Sequence, residues 1–291
     1  MQAQRASQTA VLVCQGRAAA HERVAPGRFA DPTAMALLRA DERVPVEQVR
    51  AGTAPKGWGE RVPFEMVRAS AEIMVPRTIA IDDAVRERGA PQSVILGAGL
   101  DGRAWRMAEL ADVDVFEVDH PASQQDKRER LGDLAPLART LHYVPVDFTH
   151  DRLGAALDAA GHQPATPTTW VWEGVVPYLS RTDVNDTAAA ISGRSAPGSR
   201  LVVNYQSPAM SAAGGRLVAR AMTALAGRSS PWAGEPRRSS WTPAAMRELL
   251  TGHGLTVIRD DDLLNLAERL LVPTRQRRSL RTGRVAVADK A

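Results

Sequence analysis

The sequence predicts an α/β protein: a mostly parallel sheet of seven strands with helices on both faces, preceded by a helical extension. Three observations lead to this fold class. Roughly the first 90 residues are rich in helix formers and are interrupted by Gly- and Pro-rich loops. After Pro91, short aliphatic and β-branched runs alternate with helical segments, which is typical of a parallel sheet. Glycines or acidic residues follow several of these runs directly, where ligands of such sheets bind.

The extension, residues 1–90, is predicted to hold three helical regions and to cover the active site. The first spans residues 7–23, and the second begins at Asp31 and Pro32 and runs to about residue 39. The third spans residues 64–88 and is predicted to break at Pro76. Arg77 then lies near a helix start, where a cation opposes the helix dipole. That position suggests a ligand carboxylate as the partner of Arg77, with an ordinary surface arginine as the alternative.

The second unit, residues 91–291, is predicted to form the sheet and to bind a cofactor. Its helices are expected at 104–110, 120–139, 151–160, 181–191 and 243–251. Residues 206–241 are predicted to be an insertion that acts as a lid. The seven strands are expected at 94–96, 113–118, 142–146, 168–172, 200–205, 255–259 and 284–288.

A glycine turn follows the first of these strands. Gly97, Gly99 and Gly102 have the spacing of a dinucleotide fingerprint, which is weak evidence alone in a chain with 22 glycines. Asp119 ends the second strand, 20 positions after Gly99, where an acid can accept hydrogen bonds from ribose hydroxyls. A strand, a glycine turn, a helix, a second strand and an acid in this order predict a Rossmann-like nucleoside site.

Two further acids end strands of the same sheet. Asp147, followed by Phe148, is placed to contact an adenine ring, although an Asp there could equally cap the next turn. Glu173 ends the fourth strand, where the reacting end of a cofactor is expected; a backbone-bonded acid is the alternative. Tyr178 and Tyr205 are expected to line the substrate pocket, although a buried aromatic is an equal reading for Tyr178.

Composition and motifs argue against several classes. The net charge of +4 rests on a basic side that is almost all arginine, and much of that arginine lies beside acids, which favours solvated faces over a nucleic-acid surface. The concentrated arginines at 275–284 are expected to form a solvated loop, with a phosphate-binding patch as the alternative. No histidine spacing predicts a metal site, and Cys14 is the only cysteine. With no leader or membrane span in view, we expect a cytoplasmic protein without nucleic-acid or membrane partners.

The residues at these positions resemble a known family in chain order. The chain is similar to class I S-adenosylmethionine-dependent methyltransferases of the leucine carboxyl methyltransferase-like group, which includes bacterial O-methyltransferases and polyketide carboxyl methyltransferases. One departure is Gly102, where that family usually has a small hydroxyl residue. The matching pieces are Ser7 to Ala10 with Arg17, Phe29 to Pro32, Arg77-Thr78, Leu96 to Asp101 with Arg103 and Arg106, Glu117 to Pro121, Val146-Asp147, Glu173-Gly174, Tyr178-Leu179 and Gly234 to Pro236.

The resemblance implies S-adenosyl-L-methionine as the cofactor and a role for each matching residue. Arg77 would hold the methionine carboxylate, and Glu173 would lie near the methionine amino group and the substrate. Asp119 would accept from the ribose hydroxyls. The remaining implied contacts are Gly97, Ala98 and Gly99 under the cofactor, His120 beside the ribose acid, and Asp147 and Phe148 around the adenine.

The function predicted is methyl transfer to a small molecule of secondary metabolism, on a carboxylate that needs no general base. A phenol or alcohol would need a base, for which His21, His253 or Glu173 would be the first choices. Three alternatives stay open: a protein C-terminal carboxylate as acceptor, a protein that binds the cofactor without transfer, and a nicotinamide-dependent oxidoreductase. The oxidoreductase is disfavoured because no Tyr-x-x-x-Lys occurs.

Overall fold

The computed structural model of the chain describes residues 7–147, 151–208 and 238–291. Seven strands form one sheet, and their positions agree with the predicted ones to within a few residues. The strands are β1 (Gln92–Leu96), β2 (Asp114–Asp119), β3 (Thr140–Pro145), β4 (Thr168–Trp172), β5 (Arg200–Gln206), β6 (Leu255–Asp262) and β7 (Gly283–Lys290).

The sheet has the order β3-β2-β1-β4-β5-β7-β6. Strands β1 to β5 pair in parallel, whereas β7 runs antiparallel to both of its neighbours, β5 and β6. The predicted mostly parallel α/β sheet is therefore confirmed. The carboxyl ends of β1 to β5 meet along one edge, here called the carboxyl edge.

Helices precede the sheet and then alternate with its strands. Those before the sheet are α1 (Gln8–Ala20), α2 (Ala40–Ala51) and α3 (Trp58–Arg88). The later ones are α4 (Arg103–Arg106), α5 (Pro121–Leu131), α6 (Leu153–Ala159), α7 (Arg181–Gly193), α8 (Pro243–Gly252), α9 (Leu263–Arg269) and α10 (Arg277–Thr282). In the described parts of the chain, no helix combines the length and apolar character that a bilayer span needs.

The helix predicted to begin at Asp31 is wrong. Residues 32–37 form successive turns, and the helix in this region is α2, which ends at Gly52 with φ of 69°. The Asp31 carboxylate does accept from the Ala34 N–H at 3.0 Å, as an N-cap would. It also binds the Thr33 hydroxyl at 2.8 Å and the Arg17 guanidinium at 2.8 Å. These tertiary contacts fix the segment as turns rather than as a helix.

The break predicted at Pro76 is also wrong, because α3 continues through Pro63 and Pro76 to Arg88. Val75, Pro76 and Thr78 are all buried, so packing on this part of the helix outweighs the one hydrogen bond that proline removes. Arg77 consequently lies in the interior of a long helix and not at a helix start. The argument from the helix dipole does not apply to it.

Other boundaries differ in smaller ways. The helix predicted at 120–139 ends with α5 at Leu131, because Gly132 leaves the helix with φ of 54°. The segment predicted at 104–110 is the short helix α4 followed by one 3₁₀ turn, Ala108–Leu110. Part of the arginine-rich loop is helical, as α10. The predicted insertion at 206–241 lies outside the described residues except for its two ends.

Two hydrophobic clusters lie on opposite faces of the sheet. One joins the extension helices and α9 to the sheet, and the other joins α6, α7 and α8 to it. Helices α1 and α3 approach very closely at Gly16, where a Cβ atom would lie 2.4 Å from the Ser70 hydroxyl oxygen. Within the extension, α1 is thus packed tightly against α3, the helix that carries Arg77.

Candidate functional site

The predicted site residues come together because three strands end in register. Leu96 of β1 is paired with Val118 of β2 and with Trp172 of β4. The next residue on each strand is Gly97, Asp119 or Glu173, so these three lie side by side at the carboxyl edge. Asp147 follows β3 at the same edge, two residues after Pro145, the partner of Asp119.

The glycine turn has the backbone geometry that favours glycine. Gly97 has φ of 64° and Gly99 has φ of 46°, both in the left-handed region. A Cβ at Gly97 would lie 2.3 Å from Val175 Cγ2, so a side chain would be excluded even without the strain. The N–H groups of Gly97 and Ala98 both donate to the Val118 carbonyl, at 2.8 and 3.1 Å. The turn therefore presents bare backbone at the sheet edge.

Asp119 ties this turn to the second strand. Its carboxylate accepts from the Gly99 N–H at 2.5 Å and from the His120 N–H at 2.6 Å. Burial raises the pKa of Asp119 above its ordinary value, although these two backbone donors oppose the rise. Each carboxylate oxygen retains a lone pair after these bonds, so the group can still accept from a ligand hydroxyl. The His120 ring caps α5, its Nδ1 accepting from the Ala122 N–H at 3.2 Å.

Arg77 and Glu173 form an ion pair between α3 and the end of β4. Arg77 Nε lies 2.7 Å from Glu173 Oε1, yet neither atom has an aligned hydrogen bond, and both are buried. Burial opposes ionisation of Glu173, but the guanidinium groups of Arg77 and Arg103 outweigh it and hold its pKa below the ordinary value. A buried cation and a buried anion thus face each other beside the glycine turn.

Behind this pair lies a larger charge network that sequence reasoning missed. Arg103 Nη1 lies 2.9 Å from Glu173 Oε2, and Arg103 also binds Asp101 and, at 2.7 Å, Asp82. Arg106 binds the second oxygen of Asp82 at 2.7 Å. Four arginines and four carboxylates are linked in this way, so their formal charges balance; the remaining members are Arg17, which binds Asp31 at 2.8 Å, and Arg77.

Some predicted residues lie elsewhere. Tyr205 is fully buried, and its hydroxyl donates to Asp260 at 2.8 Å, so the geometry contradicts a place in the substrate pocket. His253 follows α8 at the opposite edge of the sheet, where its ring bonds to Asn185. His21 ends α1, and its Nδ1 accepts from the Asp31 N–H at 3.2 Å. His253 therefore lies away from the carboxyl edge, and the Nδ1 of His21 is occupied by a backbone N–H.

The other predicted positions are close to the edge or outside the described residues. Tyr178 belongs to a 3₁₀ turn, Val176–Tyr178, that follows Glu173, and it is partly exposed. Phe148 lies outside the described residues. Within the described ranges, no three His, Cys, Asp or Glu side chains are grouped so that they could hold a metal ion.

Comparison with known proteins places this architecture in a family. Residues 10–192 match the leucine carboxyl methyltransferase family. The chain is 35% identical over 198 residues to a protein of Mycobacterium sp. (strain JLS) and 36% identical over 198 residues to one of Frankia alni. Both relatives carry the provisional name S-adenosyl-L-methionine-dependent methyltransferase.

These matches cover 68% and 66% of this chain and 65% and 66% of the relatives' own lengths, slightly under two thirds. A solved structure of a DUF574 family protein from Streptomyces avermitilis has a TM-score of 0.56 at 15% identity, covering 98% of each chain. At that identity, the likeness supports the fold alone. The chain belongs to the leucine carboxyl methyltransferase family.

Proposed function

We propose that the chain transfers a methyl group from S-adenosyl-L-methionine to an oxygen of a small-molecule acceptor, and that this oxygen belongs to a carboxylate. The observation that carries the proposal is the pairing of Arg77 with Glu173 beside the glycine turn. The methionine end of the cofactor bears one carboxylate and one ammonium group. A guanidinium and a carboxylate held side by side carry the charges that are complementary to that zwitterion.

The geometry of the carboxyl edge supports the remaining contacts of the proposal. Arg77 would hold the methionine carboxylate, and Glu173 would hold the ammonium group. Gly97, Ala98 and Gly99 would pass beneath the cofactor, because their backbone carries no bulky side chain there. Asp119 would accept from the ribose hydroxyls. The adenine would lie near the residues that follow β2 and β3, which are His120, Asp147 and Phe148.

The protein's contribution to the chemistry would be alignment and exclusion of water. Bound S-adenosyl-L-methionine supplies a methyl group that its sulfonium already activates. A carboxylate acceptor is ionised near neutral pH, so the protein need not remove a proton from it. Positioning two reactants in this way can contribute about 7–11 kcal/mol.

The state of Glu173 favours a carboxylate over a phenol or alcohol as acceptor. Two guanidinium groups hold Glu173 ionised and lower its pKa, which makes it a weak base. Of the other bases considered, His253 lies at the opposite edge of the sheet, and the Nδ1 of His21 already accepts from a backbone N–H. Among the described residues, the predicted bases thus offer little help to an acceptor that must lose a proton.

The N-terminal helices would cover the cofactor. A Cβ at Gly99 would lie 3.3 Å from Ala10 Cβ, so the first turn of α1 lies against the glycine turn. Arg17 of α1 also donates to the Leu100 carbonyl at 2.5 Å. These two contacts support the proposal that the extension closes the site over the bound cofactor.

Calorimetric titration with S-adenosylhomocysteine, S-adenosyl-L-methionine and NADH tests cofactor choice. The sulfur cofactors should bind with micromolar affinity, and Asp119→Ala should abolish that binding. Asp114→Ala is the matched control, because Asp114 begins the same strand at the opposite edge and pairs with Arg139. Binding of NADH in place of the sulfur cofactors would contradict the proposal.

Acceptor choice is tested by mass spectrometry of reactions with aromatic and polyketide-type acids, phenols and alcohols. Methyl esters should form from acids. Methylation of phenols alone would refute the carboxylate acceptor, and methylation of a protein C-terminus alone would refute the small-molecule acceptor.

A further inference from the structure

We infer that three arginines at the mouth of the candidate site form a positively charged rim that attracts a negatively charged acceptor. The three are Arg275, Arg278 and Arg281, here called the arginine rim. All three are exposed, and they lie in and just before the short helix α10. The inference rests on the proposed function, and it assigns the charge of the acceptor from residues that the cofactor site does not use.

The structure anchors one end of this segment to α3 and the other end to the carboxyl edge of the sheet. At one end, Glu72 accepts from the Thr274 hydroxyl at 3.2 Å and from the Arg275 N–H at 2.7 Å. Glu72 precedes Arg77 by five residues on α3, which is about 7.5 Å along a helix. The arginine rim therefore begins close to the helix that supplies Arg77.

The other end is fixed to the carboxyl edge of the sheet. The Ser207 N–H, just after β5, donates to the Thr282 carbonyl at 2.7 Å. Gln206, the last residue of β5, pairs with Gly283, the first residue of β7. The segment thus runs from α3 to the end of β5. Because β5 lies next to β4 and away from β2, the segment is on the side of Glu173 that is opposite to Asp119.

The charges of the rim are not neutralised by the acids that face it. Of the neighbouring arginines, Arg277 pairs with Glu268 at 2.8 Å, and Arg284 pairs with Asp260 at 2.9 Å. Glu72 is engaged by the backbone of the segment and by Arg68 at 3.6 Å. Asp262 pairs with Arg284, and Asp261 pairs with Arg269. For the three rim arginines, the described part of the chain provides no salt bridge.

An exposed cluster of this kind acts at long range. Clefts bordered by one sign of charge raise the arrival rate of oppositely charged substrates by roughly 10- to 1000-fold, and salt weakens the effect. The methionine portion of S-adenosyl-L-methionine carries a net charge of +1 because of its sulfonium, so such a rim would not attract the cofactor. A planar acid gains in addition from guanidinium groups, which stack on aromatic faces. The occupant that fits is therefore a small aromatic acid.

The experiment compares acids with their uncharged amides. The probes are 2-naphthoate and anthraquinone-2-carboxylate with the corresponding primary amides, titrated into protein saturated with S-adenosylhomocysteine, and the two acids are also assayed as methyl acceptors. The variant is Arg275→Gln/Arg278→Gln/Arg281→Gln. The control is Arg88→Gln/Arg128→Gln/Arg247→Gln, which removes the same charge from residues without a salt bridge in the described ranges.

In the rim variant, kcat/KM and affinity for the acids should fall about tenfold at low ionic strength and should approach wild type at high salt. Affinity for the amides and for S-adenosylhomocysteine should not change. The control triple variant should behave as wild type in every titration.

Three outcomes would overturn the inference. Equal acid affinity in the rim variant and wild type would refute the rim while leaving the proposed function intact. An equal loss of affinity for acids and amides would show a structural role. Wild-type protein that binds S-adenosylhomocysteine but neither binds nor methylates either acid would refute the carboxylate acceptor and the rim together.

Discussion

Arg103 connects the extension helices to the candidate site through a single side chain. It is only 3% exposed and contacts three carboxylates: Asp82 on α3, Asp101 in the glycine turn, and Glu173 at the end of β4. We regard it as a positioning residue, because it acts on the cofactor through Glu173. Its charge keeps Glu173 ionised, and its three-way bonding fixes the direction in which Glu173 Oε1 points.

Arg103→Gln should make cofactor binding depend on pH. In wild type the pKa of Glu173 is lowered, so the site stays anionic as pH falls. Without the guanidinium, the pKa of Glu173 rises, and affinity for S-adenosylhomocysteine should decline at a higher pH than in wild type. Calorimetric dissociation constants across an acidic pH series measure the shift.

Arg103→Lys should restore part of the wild-type profile, because it keeps the charge. Arg130→Gln is the control for a purely structural effect. Arg130 has an equally buried side chain, and its ion pairs are with Asp126 and Glu42 rather than with a carboxylate of the candidate site. Arg130→Gln should lower the stability of the protein and leave the pH dependence of cofactor binding unchanged. Parallel profiles for Arg103→Gln and wild type would contradict the positioning role.

Gly102 is explained by a neighbour from the extension. A Cβ at this position would lie 2.2 Å from the Thr33 hydroxyl oxygen and 3.4 Å from Asp31 Oδ1. The family usually has a small hydroxyl residue here. In this chain the Thr33 hydroxyl occupies that space and donates to Asp31.

Gly102→Ser should therefore destabilise the protein by about 1–3 kcal/mol, as overpacking does. The same substitution in a Thr33→Ala background should cost much less, because the clashing oxygen is gone. Urea unfolding of the four proteins gives the coupling free energy. Equal losses in both backgrounds would show that Thr33 is not the cause.

At the scale of elements, the contact between α1 and α3 depends on a missing side chain. A Cβ at Gly16 would lie 2.4 Å from the Ser70 hydroxyl oxygen and 2.9 Å from the Ser70 backbone carbon. Alanine normally favours a helix by about 1 kcal/mol over glycine. Here we expect Gly16→Ala to destabilise by about 1–3 kcal/mol, because the two helix backbones must separate.

Gly193→Ala is the matched substitution, since Gly193 is also helical and a Cβ there meets nothing within 4 Å. It should be neutral or slightly stabilising. Thermal and urea unfolding distinguish the two variants. A Gly16→Ala protein as stable as wild type would mean that α1 can move away from α3 freely.

The elements predicted well are those whose signal is local. The β4 bounds agree with the prediction, because a run of apolar and β-branched residues ends in an acid and a glycine. The errors at Asp31 and Pro76 have one cause. Local sequence preference favours a helix start at Asp31 and a helix break at Pro76. In the folded protein, the ion pair with Arg17 holds the residues after Asp31 as turns, and burial keeps α3 continuous through Pro76.

The candidate site also has one part that the sequence predicts and another that it does not. Asp119 and Glu173 could be predicted as neighbours, because strand-end acids of a parallel sheet share an edge. The partnership of Arg103 with Asp82 could not. Asp82 stands beside Asp83 and near Arg86 in the sequence, a pattern typical of a solvated helix face, yet Asp82 is 4% exposed. Its burial depends on how α3 packs, which no local pattern reveals.

For the molecule as a whole, stability should fall in mild acid because of a buried histidine. His162 is 2% exposed, lies between Phe116 and Trp170, and has one ring nitrogen 3.1 Å from the Thr168 hydroxyl. Burial, with the nearby Arg194 charge, lowers the pKa of His162 from 6.5 to about 4. The folded protein thus keeps this ring neutral at pH values where the unfolded chain protonates it.

Since the pKa of His162 is lower in the folded protein than in the unfolded chain, the contribution of the neutral ring to stability is complete above pH 6.5 and is lost as pH falls toward 4. Between pH 7 and pH 5, this one group should reduce the free energy of unfolding by about 2 kcal/mol. The measurement is urea unfolding at both pH values for wild type and His162→Gln. The variant should be less stable at pH 7 but should lose less on acidification. Identical losses would show that His162 does not titrate in this way.

The position of β7 has a consequence for how the chain is made. β7 follows β6 in the sequence but lies between β5 and β6 in the sheet. During synthesis, β6 therefore leaves the ribosome before the strand that joins it to the sheet. Until β7 inserts, β5 is paired with β4 on one side only, and its other side is an open edge of mostly buried residues with which other nascent chains could pair. This interval is where the protein would depend most on a chaperone.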